Sequence, residues 1–162
     1  MILLNLDGIK GDSQIEGHKT WIQISSVGFG VGRSIVASTG GADRETSTPN
    51  FSEITLGKLV DIASTNLFAQ AAYGKAIGTV AKLDWIQTGG ADKPDQLYMQ
   101  LLLSNPIISN YSVSSGGDRP SESFSISFTK IIFKYTQFSE GGQTTPADPK
   151  GFDLKEGKPA SS

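Results

Sequence analysis

The sequence has no cysteine, one histidine, no run of lysine or arginine and no long apolar stretch. Each absence removes a class of function. Without cysteine there are no disulfides and no thiolate metal centres, and His18 has no second histidine at ligand spacing. A formal net charge of -2, with no basic cluster, gives no phosphate-binding surface, so nucleic acid is excluded as a partner. No segment approaches the roughly 18 apolar residues of a membrane-spanning helix, so membrane insertion is not expected. The opening Met1-Ile-Leu-Leu-Asn-Leu-Asp7 lacks the basic start and the apolar length of a signal peptide. There is no Gly-x-Ser-x-Gly elbow, and Gly28-x-Gly30-x-Gly32 lacks both the spacing and the following helix of a nucleotide loop. The loop bearing Asp7, Asp12 and Glu16 does not fit the calcium-loop spacing and reads as solvated. No internal repeat is present. No enzyme activity, cofactor or metal is expected.

What the chain does have is strand periodicity and glycine, 19 residues in 162. The stretch from Pro120 to Phe138 organises the rest. Phe124, Ile126 and Phe128 alternate with serines, then the apolar set jumps parity to Ile131, Phe133 and Tyr135. A parity jump means that the strand crosses to another face or absorbs a bulge. The same jump recurs between Thr20-Ile22-Ile24 and Val27-Phe29-Val31, on either side of Ser25-Ser26. Long bent strands of this kind build barrels and packed two-sheet folds. Further strands are expected over Ile2 to Leu6, Phe51 to Val60, Ile77 to Gln87, Leu97 to Leu103 and Ile107 to Ser114, with Pro106 at an edge or bulge.

One helix is expected, over Asp61 to Lys75. Ser64 is read as its N-cap, Gly74 as the left-handed residue that ends it, and Leu67, Phe68, Ala71 and Ala72 as its buried stripe. Arg33 to Asn50 shows no period and reads as a long polar loop, a length that signals function or disorder. Past Phe138 only Phe152 and Leu154 offer anchors. The expected organisation is one domain over 1–154 with a disordered tail over 155–162.

Several segments, taken in order, resemble the haemolysin-coregulated protein (Hcp) family of type VI secretion. Gly11-Asp-Ser13 with Gly17-His18-Lys19-x-Trp21-Ile22 is similar to the family's opening segment, and Gly28-x-Gly30 with Phe29-x-x-Gly32 to its aromatic-glycine strand. Asp61-x-x-Ser64-x-x-Leu67 with Gly74-Lys75 resembles the helix motif, Tyr111-Ser-Val-Ser114 with Glu122 through Tyr135 the long strand pair, and Gly151-Phe-Asp-Leu154 the closing segment. Asp12 replaces the family's glutamate, Thr65 its proline, and Gly28 a larger or hydroxyl residue.

The resemblance implies a mainly β fold: a compact β-barrel of two packed antiparallel sheets with one flanking α-helix. It implies a structural subunit of the secretion tube, a homo-hexameric ring that stacks on copies of itself inside a contractile sheath, is driven out with a spike, and carries or chaperones small effector proteins in its lumen. Such a protein is cytoplasmic and then secreted without a cleavable signal. In that framework Gly28, Phe29 and Gly30 form the candidate lumen-facing strand, Arg44 and Glu45 the candidate ring-stacking loop, and Leu67 and Phe68 the helix core. Two rival classes stay open: a monomeric β-barrel that binds a small molecule, and a hydrolase, which would need His18 beside a nucleophile.

Overall fold

Two antiparallel sheets face each other, and the chain passes between them at three short corners. The computed structural model describes residues 1–36, 45–89, 95–139 and 143–162. The larger sheet has eight strands: β1 (Ile2–Asn5), β2 (Ile22–Ile24), β9 (Val80–Gln87), β10 (Gln96–Ser104), β13 (Lys130–Phe138), β14 (Thr144–Pro146), β15 (Lys150–Asp153) and β16 (Lys158–Ala160). Their order is β16-β15-β13-β10-β9-β1-β2, with β14 also beside β13. The smaller sheet runs β11-β12-β8-β3, built from β3 (Ser26–Gly28), β8 (Ile54–Leu59), β11 (Ile107–Ser114) and β12 (Ser121–Ser127). A narrow ribbon adds two short pairs, β4 (Val31–Gly32) with β7 (Asn50–Phe51) and β5 (Ile35–Val36) with β6 (Glu45–Thr46). The class is mainly β, as expected, but among the described residues hydrogen bonding does not close the two sheets into a continuous barrel.

The parity jumps are the corners. Ser25 separates β2 from β3, Phe128-Thr129 separates β12 from β13, and Asn105-Pro106 separates β10 from β11. The organising stretch is therefore two strands in two sheets. Asn105 takes the turn with φ 51°, a left-handed conformation that asparagine tolerates better than bulkier residues. Between the sheets Leu4, Ile22, Ile54, Leu56, Leu83, Leu101, Leu103, Phe124 and Ile126 form one buried cluster.

Two glycines of the quoted motifs mark close approaches. A side chain on Gly11 would meet the backbone of Trp21 and Ile22 at 2.5 Å, and one on Gly151 would meet the Ile131 carbonyl at 2.0 Å. Gly11 lets the segment after β1 fold back across the larger sheet, where Gly11 and Ser13 donate to the carbonyls of Thr20 and Trp21. Gly151 lets β15 pair with β13.

The helix, α1 (Ser64–Tyr73), starts later than the sequence suggests, and it corrects two expectations. Ser64 is not the cap. Ala63 holds that position without a side-chain bond, and the Ser64 hydroxyl turns toward the sheet. Leu67 is fully buried, but Phe68 is 62% exposed. One residue turns a helix by about 100°, so only one of the two neighbours reaches the core. Phe68 instead leans edge-on against Tyr111, with ring centroids 5.9 Å apart. Gly74 ends the helix at φ 63° and donates to Gln70, as expected.

Two further expectations change. Residues 33–50 are not structureless throughout: their described ends pair as the ribbon, because Ser34 and Ser47 bond across it and Ile35 and Val36 have strand character. Residues 155–162, expected as a disordered tail, include β16, which takes the open edge of β15.

Candidate interaction surfaces

Beneath the helix lies a buried ionic centre. Lys58 and Glu122 are register partners on β8 and β12, and each is only 3% exposed. The Lys58 ammonium donates to Glu122 at 2.5 Å and meets Asp61 at 2.7 Å. Ser64 donates to the same Glu122 oxygen at 2.9 Å, and the Tyr111 hydroxyl donates to the other. Asp61 in turn accepts from the Ala63 amide at 2.8 Å, so one carboxylate both pairs with lysine and starts the helix. One ammonium serves two carboxylates, and its donors go to Glu122, Asp61 and Ser64, so each ion has a partner, which is the condition for tolerating ions at low dielectric. Burial first, and then the Glu122 carboxylate that accepts its proton, push the Tyr111 hydroxyl above the usual phenol range. Asp61, Ser64, Tyr111 and Glu122 came from two separate motifs of the sequence. The structure brings them to one point and adds Lys58, which the sequence reading did not single out; its place opposite Glu122 becomes legible only once the β8–β12 register is known.

The outward side of the same sheet is the opposite. Strand alternation and register place Ser26 and Gly28 of β3, Thr55, Gly57 and Leu59 of β8, Ser121, Ser123 and Ser125 of β12, and Asn110, Ser112 and Ser114 of β11 there. None is charged, and only Leu59 is large and apolar. Ser112 and Ser123 share a hydrogen bond at 2.8 Å, and Thr55 donates to the Gly28 carbonyl at 3.2 Å. A shallow trough of about 410 Å³ runs along the serines.

A third feature is a groove of about 560 Å³ between the root of the ribbon and the end of the larger sheet. Phe29, Val31, Phe51, Phe133 and Phe152 line it, with Arg33 and Lys150 as its charged groups. Phe51 stacks on Phe152 at 5.4 Å, and Phe29 tilts toward Phe133 at 6.5 Å.

The candidate lumen strand thus divides. Gly28 lies on the hydroxyl side and Phe29 lines the groove, because neighbouring residues of an extended chain point to opposite faces, and Gly30 borders the groove as well. Glu45 opens β6 opposite Val36, and Arg44 lies outside the described residues. His18 is not gathered with a nucleophile. Its Nε2 contacts Asp84 at 2.8 Å, Asp84 also accepts from Gln100 at 2.7 Å, and the imidazole sits edge-on to Trp21. This ties the segment after β1 onto the larger sheet, a structural role. Among the described residues no cluster of metal-ligating side chains occurs.

Comparison with known proteins adds to this geometry. A family model described as "Type VI secretion system effector, Hcp" matches residues 3–135. Among solved structures, one of a type six secretion system protein superposes with a TM-score of 0.88 at 23% identity, covering 98% of each chain. Hcp1 from Salmonella typhimurium matches with a TM-score of 0.77 at 25% identity, over 98% of this chain and 97% of that one. A type VI secretion system effector from Yersinia pestis matches with a TM-score of 0.71 at 21% identity, over 94% and 99%. No curated protein sequence matches.

Proposed function

The chain belongs to the Hcp family of type VI secretion, and on that premise we propose that it is a structural subunit of the secretion tube. Six copies form a ring, rings stack, and a contractile sheath drives the stack outward with its spike. The ring lumen carries or chaperones small effector proteins. The protein works in the cytoplasm until it is exported, and it performs no catalysis.

Beyond the family match, the observation that supports this reading is the ribbon. Val31, Ile35 and Val36 are 61%, 58% and 62% exposed on a ribbon that has two strands among the described residues. An apolar two-stranded ribbon is marginal by itself in water and calls for a neighbour. The segment joining β5 to β6, with Arg44 and Glu45, makes the contact with the next ring, where exposed ion pairs orient docking and add little energy. Gly28 and the serines around it face the lumen.

The test is mass and assembly. Light scattering should give a particle near six times 17.2 kDa, about 103 kDa. A monodisperse 17.2 kDa species at high concentration would instead favour the monomeric small-molecule-binding barrel. Replacing residues 38–48 with a short Gly-Ser linker should leave the ring intact while tubes seen by electron microscopy, and export into the medium, fall sharply. Normal tubes and export would mark the segment as a passive insertion.

A further inference from the structure

The core opens to solvent where the larger sheet reaches the ribbon. Ile131 and Phe133 point the same way from β13, yet Ile131 is 6% exposed and Phe133 40%. Phe152, opposite Ile131, and Lys150, opposite Phe133, leave β15 on that same face. The facing wall comes from the chain that joins the smaller sheet to the ribbon: Phe29 tilts toward Phe133, and Phe51 stacks on Phe152. The groove is thus the mouth of the space between the two sheets, and its volume of about 560 Å³ falls in the range of small-ligand sites. We propose that this mouth binds an apolar carboxylate of the medium-chain fatty-acid class, its hydrocarbon body among the phenylalanines and its head at Arg33 and Lys150. The inference goes beyond the tube reading and does not depend on it.

The lining selects that chemistry. Four phenylalanine rings and Val31 offer carbon to an apolar body, which leaves water as it enters. The charged lining groups are Arg33 and Lys150, with no acid among the lining residues. Among the described residues neither is paired with a carboxylate, and the Arg33 guanidinium donates to the Thr46 hydroxyl at 3.4 Å. Two cations set together on a chain of net charge -2 favour an anionic head and oppose a cationic one. A guanidinium can hold a carboxylate through two parallel hydrogen bonds. A single negative charge suits a mouth that is otherwise apolar, because each further charge adds to the cost of leaving water.

The test titrates the wild-type protein, in whatever assembly it forms, with octanoate, decanoate and dodecanoate below their micelle concentrations, followed by isothermal calorimetry. Binding should saturate at one site per chain and tighten about two- to fourfold for each added methylene that enters the groove. Decylammonium should bind about tenfold more weakly than decanoate, or worse. Arg33 and Lys150 are both exposed, so Arg33→Gln combined with Lys150→Gln should keep the circular dichroism spectrum while weakening decanoate several-fold and leaving decanol unchanged. Phe133→Ala should weaken decanoate and decanol alike. Absence of saturable binding to the wild-type protein would overturn the inference. So would affinities that ignore chain length, equal binding of decylammonium and decanoate, or decanoate affinity that survives both the double substitution and Phe133→Ala. The particle mass, on which the tube reading is tested, is a separate measurement, so either reading can fail while the other stands.

Discussion

The two sides of the four-stranded sheet invert the usual distribution of polarity. On β8 and β12 the outward positions are Thr55, Gly57, Leu59, Ser121, Ser123 and Ser125, and the inward ones are Ile54, Leu56, Lys58, Glu122, Phe124 and Ile126. The charges are inside and the neutral residues are outside. An exposed sheet face in water ordinarily carries charge, because charge keeps it soluble and guards it against association. A neutral, small-residue face tolerates a close neighbour or a passing surface without electrostatic preference. The buried side uses charge for direction: Glu122 accepts from three side chains on three elements, so it fixes the register of β8 against β12 and the seat of α1 together.

Mutations on the inner side should have the larger effects. Leu67→Asp places an unpaired carboxylate in the fully buried contact beneath the helix and should cost about 4 kcal/mol or more, giving insoluble or unfolded protein. Phe68→Asp, one residue on, should cost about 1 kcal/mol or less in urea unfolding; equal losses at the two positions would contradict the helix orientation. Glu122→Ala leaves Ser64 and Tyr111 without their acceptor and Lys58 with Asp61 as its one carboxylate partner, and should cost about 3–5 kcal/mol. Combining Lys58→Met with Glu122→Gln should cost less than the two single changes added together, by a coupling of about 1–3 kcal/mol, because the two groups bond directly. Strict additivity would show that the two groups do not act as a pair.

A smaller effect appears in alkali. The Tyr111 proton is held more tightly in the folded state than in the unfolded one, so its contribution is complete below the unfolded phenol value of about 10 and is lost as pH rises above it. Tyr111→Phe should therefore flatten the decline of unfolding free energy above that pH; an unchanged slope would mean that the Glu122 contact does not persist in solution. On the outer side, Ser123→Ala should change stability by no more than about 0.5 kcal/mol, since its bond to Ser112 is exposed. A loss comparable to that of Glu122→Ala would end the contrast between the two sides.

Much of the architecture was legible in the sequence because alternation survives wherever one face is buried. Both parity jumps were visible, and both are places where the chain changes sheet. What alternation could not distinguish was a bulge from a corner, because each shifts the apolar set by one residue. The helix was visible through Gly74 and Leu67, but Ser64 read as a cap since a serine before an apolar stripe gives the same pattern whether its hydroxyl serves the helix or a buried carboxylate. Phe68 read as core because it adjoins Leu67. The ribbon was missed because its pairs are two residues long, too short to show a period. Of the surfaces, Phe29 was found by its motif. Its partners Phe51, Phe133 and Phe152 come from distant segments that only the folded chain gathers.

The position of β1 has a consequence for biosynthesis. β1 lies between β2 and β9, and Ile2 pairs with Trp85, 83 residues further along the chain. Its neighbour β2 emerges soon after it, but the edge that β9 will take stays open while those residues are made. At about 5–20 residues per second, translation alone holds Leu3 and Leu4 without their final cover for roughly 4 to 16 s. Over that interval the nascent chain presents an apolar strand edge to other nascent chains, so crowded polysomes expose this chain to mispairing.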